Sequence, residues 1–177
     1  MPQANEGSSD QSTDKRKSRV FERIAGRLRR IFLGHRAHSI PSNFTGTYTD
    51  AAFHFSFNYP PDLRLQSWQD GAATTIRARD AGKRIGFQIS IRPIDGTDTA
   101  ITPSRLARDM PGLSVRKPEA VRIRGAGRAL AFYATEHTFG DSFQAWFIRD
   151  GHLFQISSYA PHAALIRGVL ASWTFTK

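Results

Sequence analysis

The residues best suited to chemistry in this chain are few and scattered. Gly140-Asp141-Ser142-Phe143 is similar to the string around some hydrolase nucleophiles. A nucleophilic serine needs a sharp strand-to-helix elbow to expose its hydroxyl, and a histidine oriented by an acid to take its proton. Here the string falls where a turn between two late strands is expected, and no downstream Asp-x-x-His follows, so a turn is the simpler reading. Gly125-Ala126-Gly127 opens like a dinucleotide-binding loop, but Leu130 stands where a third small residue belongs and a strand follows. Without a helix N-terminus there is nothing to cradle a phosphate.

Of the histidines His35, His38, His54, His137, His152 and His162, only the first two are close in sequence, and no carboxylate shares their turn. They make no metal-ligand set. Asp95 and Asp98 flank Gly96-Thr97, a place where aspartate serves turn geometry rather than acid–base work. The absence of cysteine excludes thiolate zinc sites, iron–sulfur clusters and a cysteine nucleophile. The chain is therefore expected not to be an enzyme and to hold neither metal nor cofactor.

What remains is charge. The 177 residues carry 25 Lys and Arg against 15 Asp and Glu, a formal net charge of +10, which favours an acidic partner. Arg77 and Arg79 alternate in one expected strand, Arg122 and Arg124 in another, and Arg128 follows the next turn. Side chains two apart in a strand share a face, so these five arginines form a candidate anion- or protein-binding patch; ordinary solvation and edge protection are the competing reading.

The basic character is densest at the front. Residues 1–36 hold nine Lys and Arg against four acidic residues. Residues 1–14 lack aromatic and β-branched hydrophobes and read as a disordered leader. Residues 15–36 read as a basic amphipathic helix: Phe21, Ile24, Leu28, Ile31 and Phe32 recur at helical period, with Arg23, Arg27 and Arg30 beside them. Its longest apolar run, Ile31-Phe32-Leu33, is far short of the roughly 20 residues that span a bilayer. No export signal is recognised, which leaves a peripheral membrane or cytoplasmic location. Such a helix suits an anionic membrane surface or an acidic protein, with its own domain as the third possible dock. Nucleic acid fits less well, because phosphates would engage the arginines and leave the apolar stripe without a partner.

Residues 37–47 read as a linker, and residues 48–177 as the globular domain that would position the arginines. Phe53 to Tyr59 alternates strictly, aromatics on one face and His54, Ser56 and Asn58 on the other, until Pro60-Pro61. Strands are expected over Leu63–Trp68, Ala73–Arg79, Arg84–Ile94, Ala120–Arg124, Arg128–His137, Phe143–Arg149 and Phe154–Tyr159. Thr102-Pro103 caps a short helix over Ser104–Met110, and Pro161 opens another carrying Leu165, Ile166, Val169 and Leu170. Asp150-Gly151 predicts a two-residue type I′ hairpin, and Trp173–Phe175 closes as a strand. This order predicts an α+β fold: a largely antiparallel sheet covered by helices.

Two ends of the domain carry a resemblance. Phe55-Ser56-Phe57-Asn58-Tyr59-Pro60, preceded by Tyr48-Thr49-Asp50, resembles the opening of PsbP-like domains. Leu165 to Phe175, with Ser172-Trp173-Thr174-Phe175 at its end, is similar to that family's terminal helix and strand. The similarity spans about residues 47–177. It implies an α/β/α sandwich and an accessory or adaptor role without a family-wide catalytic residue. The function expected is a non-enzymatic binding domain, tethered by the basic helix to an anionic membrane surface or acidic protein. The alternatives are a basic adaptor for nucleic acid and, more remotely, a small hydrolase.

Overall fold

The first strand begins two residues inside the expected linker. The computed structural model describes residues 43–82, 84–95, 99–136 and 140–176; the expected amphipathic helix, with Phe21, Arg23, Ile24, Arg27, Leu28, Arg30, Ile31 and Phe32, lies outside them. β1 (Gly46–Asp50) pairs antiparallel with β2 (Phe55–Tyr59), which pairs on its other side with β10 (Thr174–Phe175). The alternating strand starts at Phe55 rather than Phe53, because residues 51–54 form a turn. Asp50 Oδ1 accepts the N–H groups of Ala52 and Phe53, each at 3.0 Å, and His54 takes a left-handed φ of 53°. The facing of the strand is as the alternation predicts: Phe55 and Phe57 are buried.

The remaining strands form a separate seven-stranded sheet, where one sheet was expected. They are β3 (Arg64–Asp70), β4 (Ala73–Arg79), β5 (Ile85–Pro93), β6 (Ser114–Ile123), β7 (Gly127–Glu136), β8 (Gly140–Arg149) and β9 (His152–Tyr159). Their order is β3-β4-β5-β9-β8-β7-β6, and every pair is antiparallel. β6 starts six residues earlier than predicted. Its first half is polar and bulged between Arg116 and Glu119, with Lys117 at φ 48°, so no alternation marks it. β8 includes Gly140-Asp141-Ser142, which was expected to be a turn. Asp150 and Gly151, at φ 47° and 71°, make the predicted type I′ hairpin between β8 and β9.

Register sorts the sheet into two faces. On one, Phe87 and Ile89 of β5, Phe154 and Ile156 of β9, and Phe147 of β8 meet Phe55, Phe57 and Trp173 beneath α2 (Ala163–Ser172). Trp173 stacks on Phe55 and Phe57 at 4.6 and 5.0 Å and meets Phe147 edge-on at 5.6 Å. On the other face α1 (Pro103–Asp109), capped by Thr102 Oγ1 on the Arg105 N–H, sets Leu106 near Phe132, Trp146 and Leu153. The layers are thus α2 with the three-stranded sheet, the seven-stranded sheet, and α1.

Candidate functional site

The second face is where the arginines lie. Arg77 opposes Gln88 on β5, Gln88 opposes Ser157 on β9, and Ser157 opposes Gln144 on β8, which opposes Phe132 on β7. Following this parity across β7 puts Arg128, and opposite it Arg122 on β6, on the same face as Arg77 and Arg79. Arg77, Arg79, Arg122 and Arg128 therefore share a face, yet not a neighbourhood, while Arg124, one residue beyond β6, bridges to Thr174 of β10. β4 and β6 are five strand steps apart, about 24 Å at the usual strand spacing, so one contiguous patch is replaced by two clusters at opposite margins. Which strands adjoin is decided by long-range pairing, and the insertion of β9 and β8 between β5 and β7 separates the clusters.

The cluster at the β6–β7 turn contains Arg122, Arg124 and Arg128, all exposed. Arg122 and Arg124 line a cleft of about 430 Å³, closed below by Leu170, Ala171 and Trp173 at the end of α2. The turn needs its glycines. Gly125 has φ 85°, and a Cβ there would meet the Phe175 Cβ at 3.1 Å. Gly125-Ala126-Gly127 is thus a strand connection, with the Ala126 N–H donating to Ile123 O at 3.2 Å.

The cluster at the other margin is larger than the sequence suggested. Arg64 on β3 opposes Arg79, Gln66 opposes Arg77, and Trp68 opposes Thr75. Arg77 donates from Nε and Nη2 to Gln88 Oε1 at 3.1 and 3.0 Å, and its guanidinium lies 4.8 Å from the centre of the Trp68 ring. Burial, and next the charge of Arg79, hold the Arg77 pKa below that of a free guanidinium. Arg64, Gln66 and Arg79 line a second cleft of about 250 Å³ with Asp80 and Ala81. Asp80 is itself engaged by Arg84, whose Nε is 2.5 Å from Oδ2.

Other arginines have acidic partners: Arg116 meets Asp141 at 2.8 Å, Arg105 meets Asp109 at 3.3 Å, and Arg167 pairs with Glu119. Among the described residues no carboxylate comes within ion-pair distance of Arg64, Arg77, Arg79, Arg122, Arg124 or Arg128. Sequence reading missed Arg64 and Trp68. The period-2 spacing of Arg64, Gln66 and Trp68 was visible, but nothing local indicates that β3 pairs in register with the arginine strand.

The residues considered for catalysis are otherwise occupied. Ser142 is buried in β8, donates to Ala134 O at 3.4 Å and accepts from Gln144 Nε2 at 3.0 Å. His152 Nδ1 lies 2.8 Å from Asp150 O beside the hairpin, and His162 Nδ1 lies 3.3 Å from Ser158 Oγ. Among the described residues no group of three His, Cys, Asp or Glu side chains gathers to hold a metal ion, and no helix is long and apolar enough to cross a membrane.

No family profile and no curated protein matches the chain in sequence. By structure it is similar to cyanobacterial PsbP (CyanoP) from Synechocystis sp. PCC 6803, whose solution structure superposes with a TM-score of 0.50 at 15% identity. The match covers 81% of this chain and 99% of that one. Two-layered helical cover on a mainly antiparallel sheet, with the Phe-Ser-Phe strand and the terminal helix in place, makes the fold of this chain PsbP-like.

Proposed function

We propose that this protein is a non-enzymatic accessory domain that binds an anionic partner. It is held on an anionic membrane surface or an acidic protein by the basic amphipathic segment 15–36. The observation that carries this reading is the set of five arginines, Arg64, Arg77, Arg79, Arg122 and Arg128, on one sheet face without acidic partners. A folded domain that keeps guanidiniums clustered and uncompensated accepts their mutual repulsion, and an anionic ligand relieves it. The engaged hydroxyl of Ser142 argues against a hydrolase built on that serine.

Sedimentation with liposomes tests the tether. The full chain is expected to sediment with anionic vesicles at about 50 mM salt, where screening is still modest. Replacing Phe21 and Phe32 with Ser should weaken binding even at low salt, because acyl burial is lost. Replacing Arg23, Arg27 and Arg30 with Gln should abolish the preference for anionic over neutral vesicles, at about 1 kcal/mol per lost contact. Failure of the full chain to sediment with anionic vesicles refutes the membrane reading. Tighter binding to nucleic acid, with a steep salt dependence, would put a basic adaptor in its place.

A further inference from the structure

The two margins of the large sheet are built differently, and the difference identifies a binding edge. β6 is blunted in the ways exposed edges usually are: it carries Pro118, a bulge at Arg116/Glu119, Lys117 at φ 48°, and a row of basic side chains. β3 has neither bulge nor positive φ along its length, and its charged side chains are Arg64 and Asp70 at its two ends. Its seven residues pair with β4 without a register shift from Arg64↔Arg79 to Asp70↔Ala73, and it contains neither proline nor lysine. Among the described residues no strand pairs with its outer side. A straight edge of this length leaves backbone N–H and C=O groups directed at solvent, which is the template for strand addition.

The side chains over that edge state what the added strand should carry. Arg64 and Gln66 point to the same face as Arg79 and Arg77 directly behind them, and Trp68 follows at the next position on that face. Trp68 is the large hydrophobe left exposed among the described residues, at 38%. The three arginines have no carboxylate partner. A strand laid beside β3 presents alternate side chains to this face about 7 Å apart, so carboxylates at every second position meet Arg64 and the guanidiniums behind it. Near Trp68 an aliphatic stem completes the contact. We infer that the outer edge of β3 binds an extended acidic peptide by strand addition, with Arg64, Arg77 and Arg79 reading its carboxylates and Trp68 supplying the apolar contact. This rests on the reading that the domain is a binding module for anionic partners, but not on the membrane tether.

The test uses the full chain and a fluorescein-labelled peptide of about eight residues alternating Glu and Val, long enough to span β3. Anisotropy is followed at fixed salt. Arg64 is exposed, so Arg64→Glu leaves the fold intact; it is expected to weaken binding by about ten-fold or more. The charge reversal Lys117→Glu, on β6 at the other margin, should leave affinity within about two-fold. The same peptide N-methylated at alternate residues keeps every carboxylate but loses donors to the edge, and should bind at least about ten-fold more weakly. Equal binding of the methylated peptide overturns strand addition. Equal binding by Arg64→Glu overturns the assignment of the site. A single-stranded oligonucleotide of matching charge that displaces the peptide at equal or lower concentration overturns the choice of partner. Liposome sedimentation is unaffected by any of these outcomes, so the edge and the tether fail separately.

Discussion

Replacing Gly168 with alanine asks whether the chain before β1 is part of the folded body. Gly168 lies within α2, and a Cβ built there would sit 2.2, 2.6 and 2.7 Å from the Cζ, Cε1 and Cε2 atoms of Phe44. Ordinary carbon contacts are about 3.5–4.0 Å, so the ring must leave the groove that the glycine provides. Phe44 is half-buried against the main core, and burying a whole phenylalanine side chain contributes about 1.5–3 kcal/mol; losing its contact therefore costs roughly 1–1.5 kcal/mol. Against this, Gly→Ala inside a helix gains about 1 kcal/mol in propensity. In the native background the two nearly cancel, with a small net loss. With Phe44→Ala already in place nothing opposes the gain, and Gly168→Ala should stabilise by close to the full 1 kcal/mol. The coupling between the two positions is thus about 1–1.5 kcal/mol, well above the 0.3–0.5 kcal/mol within which independent sites add. Urea unfolding of the four proteins at constant m-value measures it. If Gly168→Ala stabilises equally in both backgrounds, Phe44 does not pack on α2 and the fold begins later than described.

Two further perturbations test the core and its titration. Phe57→Ala removes a fully buried ring that stacks on Trp173 and Tyr48, and should cost roughly 3–5 kcal/mol in thermal or chemical unfolding. Ser56→Ala on the opposite side, losing only its contact with Thr174 Oγ1 at 3.0 Å, should cost about 1 kcal/mol; equal costs would mean that β2 faces the other way. Burial, and then the charge of Asp50, whose Oδ2 accepts the phenolic hydrogen at 3.1 Å, push the Tyr48 pKa up to about 12. The unfolded phenol ionises near pH 10, so the contribution is complete below that pH and is lost as the pH rises towards 12. Tyr159 is also raised by burial, so phenolate absorbance should lose one late step, near pH 12, in Tyr48→Phe; an unchanged alkaline stability profile in that variant would refute the assignment.

Much of the fold was legible wherever the deciding interaction is local. Alternation over Phe55 to Tyr59 placed the two phenylalanines inward, because side chains two apart must share a face. The left-handed demands of a type I′ turn picked out Asp150-Gly151, and Thr102-Pro103 marked the start of α1 through a cap made within three residues. The bulged half of β6 stayed hidden, since Arg116-Lys117-Pro118-Glu119 has neither apolar alternation nor strand propensity; pairing with β7 and the ion pairs to Asp141 and Arg167 hold it in place. The separation of β2 from the large sheet was equally invisible. It follows from the packing of Phe55 and Phe57 onto Trp173, more than a hundred residues away. The candidate site divides in the same way. A period of two is built into any strand, so spacing alone put Arg77 and Arg79 on a common side. Long-range pairing set β9 and β8 between β5 and β7, holding the two clusters about 24 Å apart, and brought Arg64 and Trp68 to the first of them. Neighbour relations in a sheet come from burying complementary faces of strands far apart in the chain, and no local pattern encodes them.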